Sequence, residues 1–400
     1  MLAGLILGLL ISEIFLRVVG FTNLNPYITD PHTGFSLRPG AEGWWRGEGV
    51  TYIKINSEGL RDREHSKTKP SNTLRIAVLG DSFTEAFDVK MEETWWAVME
   101  QQLQACDALG GKNVEVINFG VAGYSTAREL ITLRHRVWQY SPDVVVLNVT
   151  TVNDIKDNSK LLNKEYSQLP LPYFIYQGNR LVLDDSNLVA RNNSLYFRLQ
   201  QTFLGGAMNW LRTHLRLVQV VDQARIAYHQ RKTMTQLASE KPNAPREFLG
   251  WDSTVFKEPT DPAWIDAWRV TEGTLLLMRD EVASKGAKFL VISGSSGIQV
   301  HPDAAVRQAS MAGLGVDDLF YPDKRIKALG EREGFSVLNL APAMLEYANR
   351  NNAILHGQVD TATYGHWNQT GNRVAGELVA GKLCADTLTA NAAVGFGSVR

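Results

Sequence analysis

Four short blocks carry residue types able to do acyl-transfer chemistry. An apolar run ends in Gly80-Asp81-Ser82 (IAVLGDSFTEAF), and Gly120 and Gly123 lie in NFGVAGYST. Asn153 and Asp154 lie in TTVND, and His366 in YGHWNQTGN. A serine hydroxyl is a weak nucleophile until a base takes its proton, and His366 is the natural base for Ser82. The tetrahedral oxyanion then needs fixed donors. The backbone N–H groups of Ser82 and Gly123 and the side-chain amide of Asn153 would supply an oxyanion hole. A glycine at 123 would let the backbone approach the substrate oxygen. Asp81 reads as a turn residue that holds its loop by hydrogen bonding.

Each residue also has an ordinary explanation. Ser82 alone suits a helix N-cap, Asn153-Asp154 a loop, and His366 beside Trp367 a packed ring. The functional reading rests on all four blocks falling at strand ends on one rim.

The elements that would put them there alternate regularly. Short apolar runs are LRIAVLGD, VEVINFGV, DVVVLNVT, KFLVISGSS and FSVLNLAP, with helical patterns such as EETWWAVMEQQLQAC and TARELITLRHRVWQY between them. This rhythm predicts an α/β fold with a parallel sheet covered on both faces. Ligands of such sheets bind at the carboxyl ends of the strands. DPAWIDAWRVTEGTLLLMRDEVASKG predicts a helix capped by Asp261, with Pro262 in its first turn and Gly286 at its end. A last helix is expected over GNRVAGELVAGKLCADTL, and residues 389–400 as a tail.

The four blocks, in this order, resemble the SGNH hydrolases, also called the GDSL esterase/lipase family. The family's Ser, Gly, Asn and His fall by motif on Ser82, Gly123, Asn153 and His366. The match spans roughly Leu74 to Asp386, in a domain of residues 73–388 that carries an insertion at about 157–260. It implies a flavodoxin-like three-layer α/β/α sandwich with a five-stranded parallel sheet. It also implies a hydrolase acting on carboxylic esters and using no cofactor. INSEGLRD and the N-terminal stretch ending LRVVG are similar to bacterial, membrane-anchored members. The family usually places an Asp two or three residues before the histidine, where this chain has Tyr364 and Thr363. Asp360 is then the candidate acid, and a Ser-His dyad the alternative.

Composition narrows the class. A net charge of -1 over 400 residues provides no basic excess to neutralise phosphates, which argues against nucleic-acid binding. Two cysteines and eight scattered histidines form no metal or redox motif. At the N-terminus, residues 1–21 are apolar apart from Ser12, Glu13 and Arg17, and predict a transmembrane signal-anchor. The uninterrupted run from Leu2 to Ile11 is half the needed length, so an amphipathic core helix is the alternative reading. Glu13 and Arg17 stand four apart in the favourable order for pairing.

Residues 22–72 are turn-rich and are expected to pack on the main domain, with VTYIKINSEGLRD alternating as one short strand that ends in a turn. Within the insertion, SLYFRLQQTFLGGAMNWLRTHLRLVQVVDQARIAYHQ predicts amphipathic helices, either an ordinary packed pair or a surface for a membrane or partner.

The leading expectation is a membrane-anchored serine esterase facing the periplasm or exterior. Its substrate would be an acylated small molecule or carbohydrate, with O-acetyl the expected group. Trp44, Trp45 and Trp367 are candidates for sugar stacking. A polysaccharide O-acetyltransferase using the same residues, and a non-catalytic carbohydrate-binding or assembly protein, are the alternatives. A strand order of 2-1-3-4-5 would set the first and last helices side by side. Cys106 and Cys384 would then share one end, either bridged or as two small buried hydrophobes.

Overall fold

The computed structural model describes residues 2–21, 24–163, 170–200, 202–240, 253–357 and 365–397. After helix α1 (Leu2–Val18) come two antiparallel hairpins, β1 (Tyr27–Asp30) with β2 (Gly34–Leu37) and β3 (Glu42–Arg46) with β4 (Val50–Lys54). The first three apolar runs are β5 (Thr73–Leu79), β6 (Asn113–Asn118) and β7 (Val144–Val149). They are followed by α2 (Ser82–Glu85) and α3 (Trp95–Gln104), by α4 (Thr126–His135), and by α5 (Asp154–Asp157). The insertion adds a hairpin, β8 (Tyr173–Gln177) and β9 (Arg180–Asp184), and α6 (Ser186–Asn193), α7 (Leu195–Gln200), α8 (Phe203–His214) and α9 (Arg216–Glu240). The rhythm then resumes with α10 (Pro262–Ser284), β10 (Lys288–Ser293), α11 (Ala304–Leu314), α12 (Tyr321–Glu333), β11 (Ser336–Asn339), α13 (Leu340–Asn351) and α14 (Gln369–Gly397).

The central sheet runs β11-β10-β7-β5-β6 with every pairing parallel. Counted along the chain this is 2-1-3-4-5, the expected order. Every residue of β7 is buried, as its unbroken apolar sequence requires of a strand covered on both faces. One face carries α4, α10 and α12 through Leu130, Trp268, Met278 and Ile326. The other carries α3, α13 and α14 through Trp95, Trp96, Met344 and Ala375. These are the three layers. A third, smaller core joins Leu37, Ile53 and Ile55 of the hairpins to Phe87 and Tyr124, so the lead-in segment packs where β5 and β6 deliver their loops. The cap of α10 is as expected: Asp261 accepts from the N–H groups of Ala263 and Trp264, and Gly286 follows the helix at φ +73°.

Three expectations change. Among the described residues no helix is long and apolar enough to cross a membrane, so an anchor over residues 1–21 is not supported. The second half of α1 docks on the insertion instead. The Glu13 carboxylate accepts from the N–H groups of Arg216 and Leu217 at the start of α9, and Arg17 donates to the His214 carbonyl. Glu13 and Arg17 also pair with each other, at 2.8 Å. The last helix runs on to Gly397 through residues expected as a tail, because its alanines continue the helix without a proline. Hairpins β1–β2 and β8–β9 were not legible, being built from strands of four or five residues. Cys106, just beyond α3, is bridged to Cys384 of α14, with Cα atoms 6.1 Å apart.

Candidate active site

Strand β5 ends at Leu79, and Asp81 caps the short helix that begins with Ser82. The Asp81 carboxylate is fully buried and tied on both sides. One oxygen accepts from the Phe83 N–H and the Thr150 hydroxyl, both at 3.0 Å. The other accepts from the Asn153 amide at 2.9 Å. Burial raises the Asp81 pKa, outweighing these bonds. Asp81 therefore holds the turn, as its type suggested, and links the end of β5 to the loop after β7.

Ser82 is left partly exposed at the helix N-terminus. Its Oγ lies 2.7 Å from Nε2 of His366, 284 residues away in sequence. Gly365 and His366 lead into α14, which packs alongside α3 on the same face of the sheet. The serine and histidine blocks thus meet on one rim.

The loop after β6 lies against the same helix. The Val121 N–H donates to the Gly80 carbonyl at 3.1 Å, and the Ala122 N–H to the Glu85 carboxylate. Gly123 follows at φ +74°, and its carbonyl accepts from Arg128. A Cβ there would meet only Phe35, at 3.8 Å. The backbone conformation, rather than crowding, accounts for glycine at 123. Asn153 is aimed by its bond to Asp81, which uses one of its two amide hydrogens. Asp154, its neighbour, points inward: it is buried and accepts from the Thr150 N–H. Burial, with the charges of Glu129 and Asp81, pushes its carboxyl well above the usual range.

Asp360, Thr363 and Tyr364 lie outside the described residues. Two other carboxylates stand beside the histidine, neither singled out from sequence. Glu48, between Gly47 and Gly49 at the tip of the β3–β4 hairpin, accepts from the His366 N–H at 2.8 Å. Its second oxygen lies 2.9 Å from Nδ1 of the ring. Asp88 has one oxygen 3.3 Å from Nδ1, while the other accepts from Trp45 Nε1 at 2.9 Å and the Gly49 N–H at 3.2 Å. Since ionised carboxylates only accept, Nδ1 keeps its proton when the ring is neutral, and Nε2 then faces the serine hydroxyl as acceptor. Burial pulls the His366 pKa down, but the hydrogen bond and charge of Glu48 and the charges of Asp88 and Asp81 push it up to about 9. Burial raises Glu48 in turn, and its bonds to His366 outweigh that and hold it below its ordinary value.

Among the described residues, Glu48, Asp88 and His366 have donor atoms within 4.8 Å of one another, close enough to hold a cation. Their bonds to each other and to Trp45 and Gly49 already account for the arrangement. Of the aromatic residues considered for sugar stacking, Trp367 is buried and donates to Ser295, so it presents no free face. Trp44 is 41% exposed and packs edge-on with Tyr52 across the hairpin that carries Glu48.

No protein-family model matches the chain, and no curated protein matches it. Among solved structures it is similar to an acetyl xylan esterase at 14% identity and a TM-score of 0.38, covering 77% of this chain and 98% of the other. An acetylxylan esterase from Geobacillus stearothermophilus is similar at 12% identity and a TM-score of 0.36, covering 78% and 94%. A member of the lipolytic protein G-D-S-L family from Veillonella parvula follows at 16% identity and a TM-score of 0.34, covering 76% and 93%.

Proposed function

We propose that this chain is a serine esterase, hydrolysing carboxylic esters through an acyl-enzyme on Ser82. The observation that supports it most directly is the 2.7 Å contact between Ser82 Oγ and His366 Nε2, at the end of a parallel strand. His366 takes the hydroxyl proton as Oγ bonds to the acyl carbon. The oxyanion is held by the N–H groups of Ser82 and Gly123 and the amide of Asn153. Collapse breaks the ester C–O bond, and the imidazolium gives its proton to the leaving alkoxide. Water, deprotonated by His366, then attacks the acyl carbon, releasing the acid and restoring the serine.

The crevice beside Ser82 and His366 is tight, closed in by Phe83, Ala86, Val89 and Trp367, and would admit only a small acyl group such as acetyl. The exposed Trp44–Tyr52 pair suits a carbohydrate alcohol. We take an O-acetylated carbohydrate as the substrate class. The disulfide supports an exported protein in an oxidising compartment. Leu5, Ile6, Leu9 and Leu10 are exposed on α1, and we place them against a membrane surface.

Hydrolysis of p-nitrophenyl acetate, with release of acetate from acetylated oligosaccharides, tests the reading. Ser82→Ala and His366→Ala are each expected to lower kcat by at least ~10³-fold with an unchanged melting curve. Mass spectrometry should find the acyl group on Ser82. Single variants that keep the wild-type rate would overturn the mechanism.

A further inference from the structure

We propose that Glu48, delivered by the β3–β4 hairpin from outside the α/β domain, is the positioning carboxylate of His366, and that Asp88 clamps the hairpin tip that carries it. The inference rests on the esterase reading above and goes beyond it by giving the lead-in segment a part in the chemistry.

The geometry is that of a two-point grip. One Glu48 oxygen takes the backbone N–H of His366 and the other takes Nδ1, so both the main chain and the ring of one residue are held by one carboxylate. A merely structural ion pair needs only one of these bonds. The contact is also built into the backbone. Gly365, immediately before the histidine, adopts φ +95°, and a Cβ there would collide with the Glu48 carboxylate. Gly49, on the other side of Glu48, abuts the Asp88 backbone where a Cβ would likewise collide. Trp45 and the Gly49 N–H hold Asp88 through the oxygen turned away from the ring. Asp88 therefore fixes the tip, and its second oxygen adds charge at 3.3 Å without a bond as short as that of Glu48.

The function of such a group follows from the proton inventory. When Ser82 loses its proton to Nε2, the ring becomes a cation with N–H on both nitrogens. Glu48 stabilises that cation at Nδ1 and keeps the proton there beforehand, so that Nε2 is free to accept. Replacing it with an amide leaves the shape but removes the charge, and offers a donor as readily as an acceptor.

The test uses the full chain and two readouts, the pH profile of kcat/KM and the ring-nitrogen NMR titration of His366. Glu48→Gln is expected to lower kcat by at least ~10²-fold and to bring the His366 titration down from about 9 by a unit or more. Asp88→Asn should lower the rate less and move the titration less. Glu48→Ala should regain part of its lost rate on adding formate, which a purely structural role would not allow. This arm keeps the inference testable if Glu48→Gln folds poorly. Three results would each overturn it: an unmoved titration in Glu48→Gln, a larger shift in Asp88→Asn, or no rescue by formate. Failure of the esterase reading shows separately, as full activity in Ser82→Ala, because the titration of His366 requires no turnover.

Discussion

Glu85 lies one turn beyond Ser82, with its carboxylate oxygens 3.2 and 3.0 Å from the Tyr27 hydroxyl. Burial raises its pKa to about 8, against the opposing bonds from Ala122 and Tyr27 and the Arg61 charge. A carboxyl raised on folding contributes stability that is complete below its unfolded pKa, near 4.5, and lost as pH climbs through the folded value, here about 8. His366 has the same sign in a higher window, from its ordinary 6.5 to about 9. The melting temperature should therefore fall as pH rises from 5 to 9. Glu85→Gln, which keeps a partner for Tyr27, should flatten the lower part of that slope. A slope unchanged by Glu85→Gln would show that the group is not held neutral. Activity runs the other way. His366 must be neutral to take the serine proton, so kcat/KM should increase with pH until about 9. The most active protein is thus expected at a pH where the fold has given up part of its stability.

At the scale of elements, the β3–β4 hairpin is where sequence and structure part. The strand ends carrying Ser82, Gly123, Asn153 and His366 were legible because each follows or precedes a long, strongly patterned element. Glu48 was not. Its strands have five residues each, and its contact spans 318 residues of chain, so no local periodicity points from one to the other. The visible signal was Gly-Glu-Gly at 47–49 and a glycine directly before the histidine, each ordinary turn chemistry on its own. The anchor reading finds no support for a related reason. Ten apolar residues from Leu2 dominate the composition of the segment, while Glu13 and Arg17 find partners on α8 and α9 that only the fold brings near. The hairpin contact can be broken without touching either carboxylate. Gly365→Ala would place a methyl against Glu48 in a backbone conformation unfavourable to alanine. It is expected to cost at least ~10-fold in kcat, a barrier change of ~1.4 kcal/mol, and to lower the pH midpoint as Glu48→Gln does. Activity within twofold of wild type would show that the hairpin tip does not have to seat against His366.

For the whole molecule, what holds the rim together is the pairing of α3 with α14. At the rim the Trp95 N–H, at the start of α3, donates to the Asn372 side chain in the first turn of α14 at 3.0 Å. Twelve residues further along α14, roughly 18 Å at a helical rise of 1.5 Å per residue, Cys384 is bonded to Cys106. The two helices are thus fixed at both ends, one following Ser82 and the other His366. The bridge spans 278 residues of chain, so its loss would release most of the α/β domain from a constraint in the unfolded state. Typical native bridges contribute ~2–4 kcal/mol, and the loop-entropy account places long loops at the upper end. The double variant Cys106→Ala/Cys384→Ala should melt several degrees lower while keeping its kcat at 25 °C, because the bridge sits at the far end of both helices from Ser82. Thiol titration of the denatured, unreduced protein should find none of the two thiols free, and both after reduction. Two free thiols before reduction, or an unshifted melting curve in the double variant, would mean that helix packing alone keeps His366 beside Ser82.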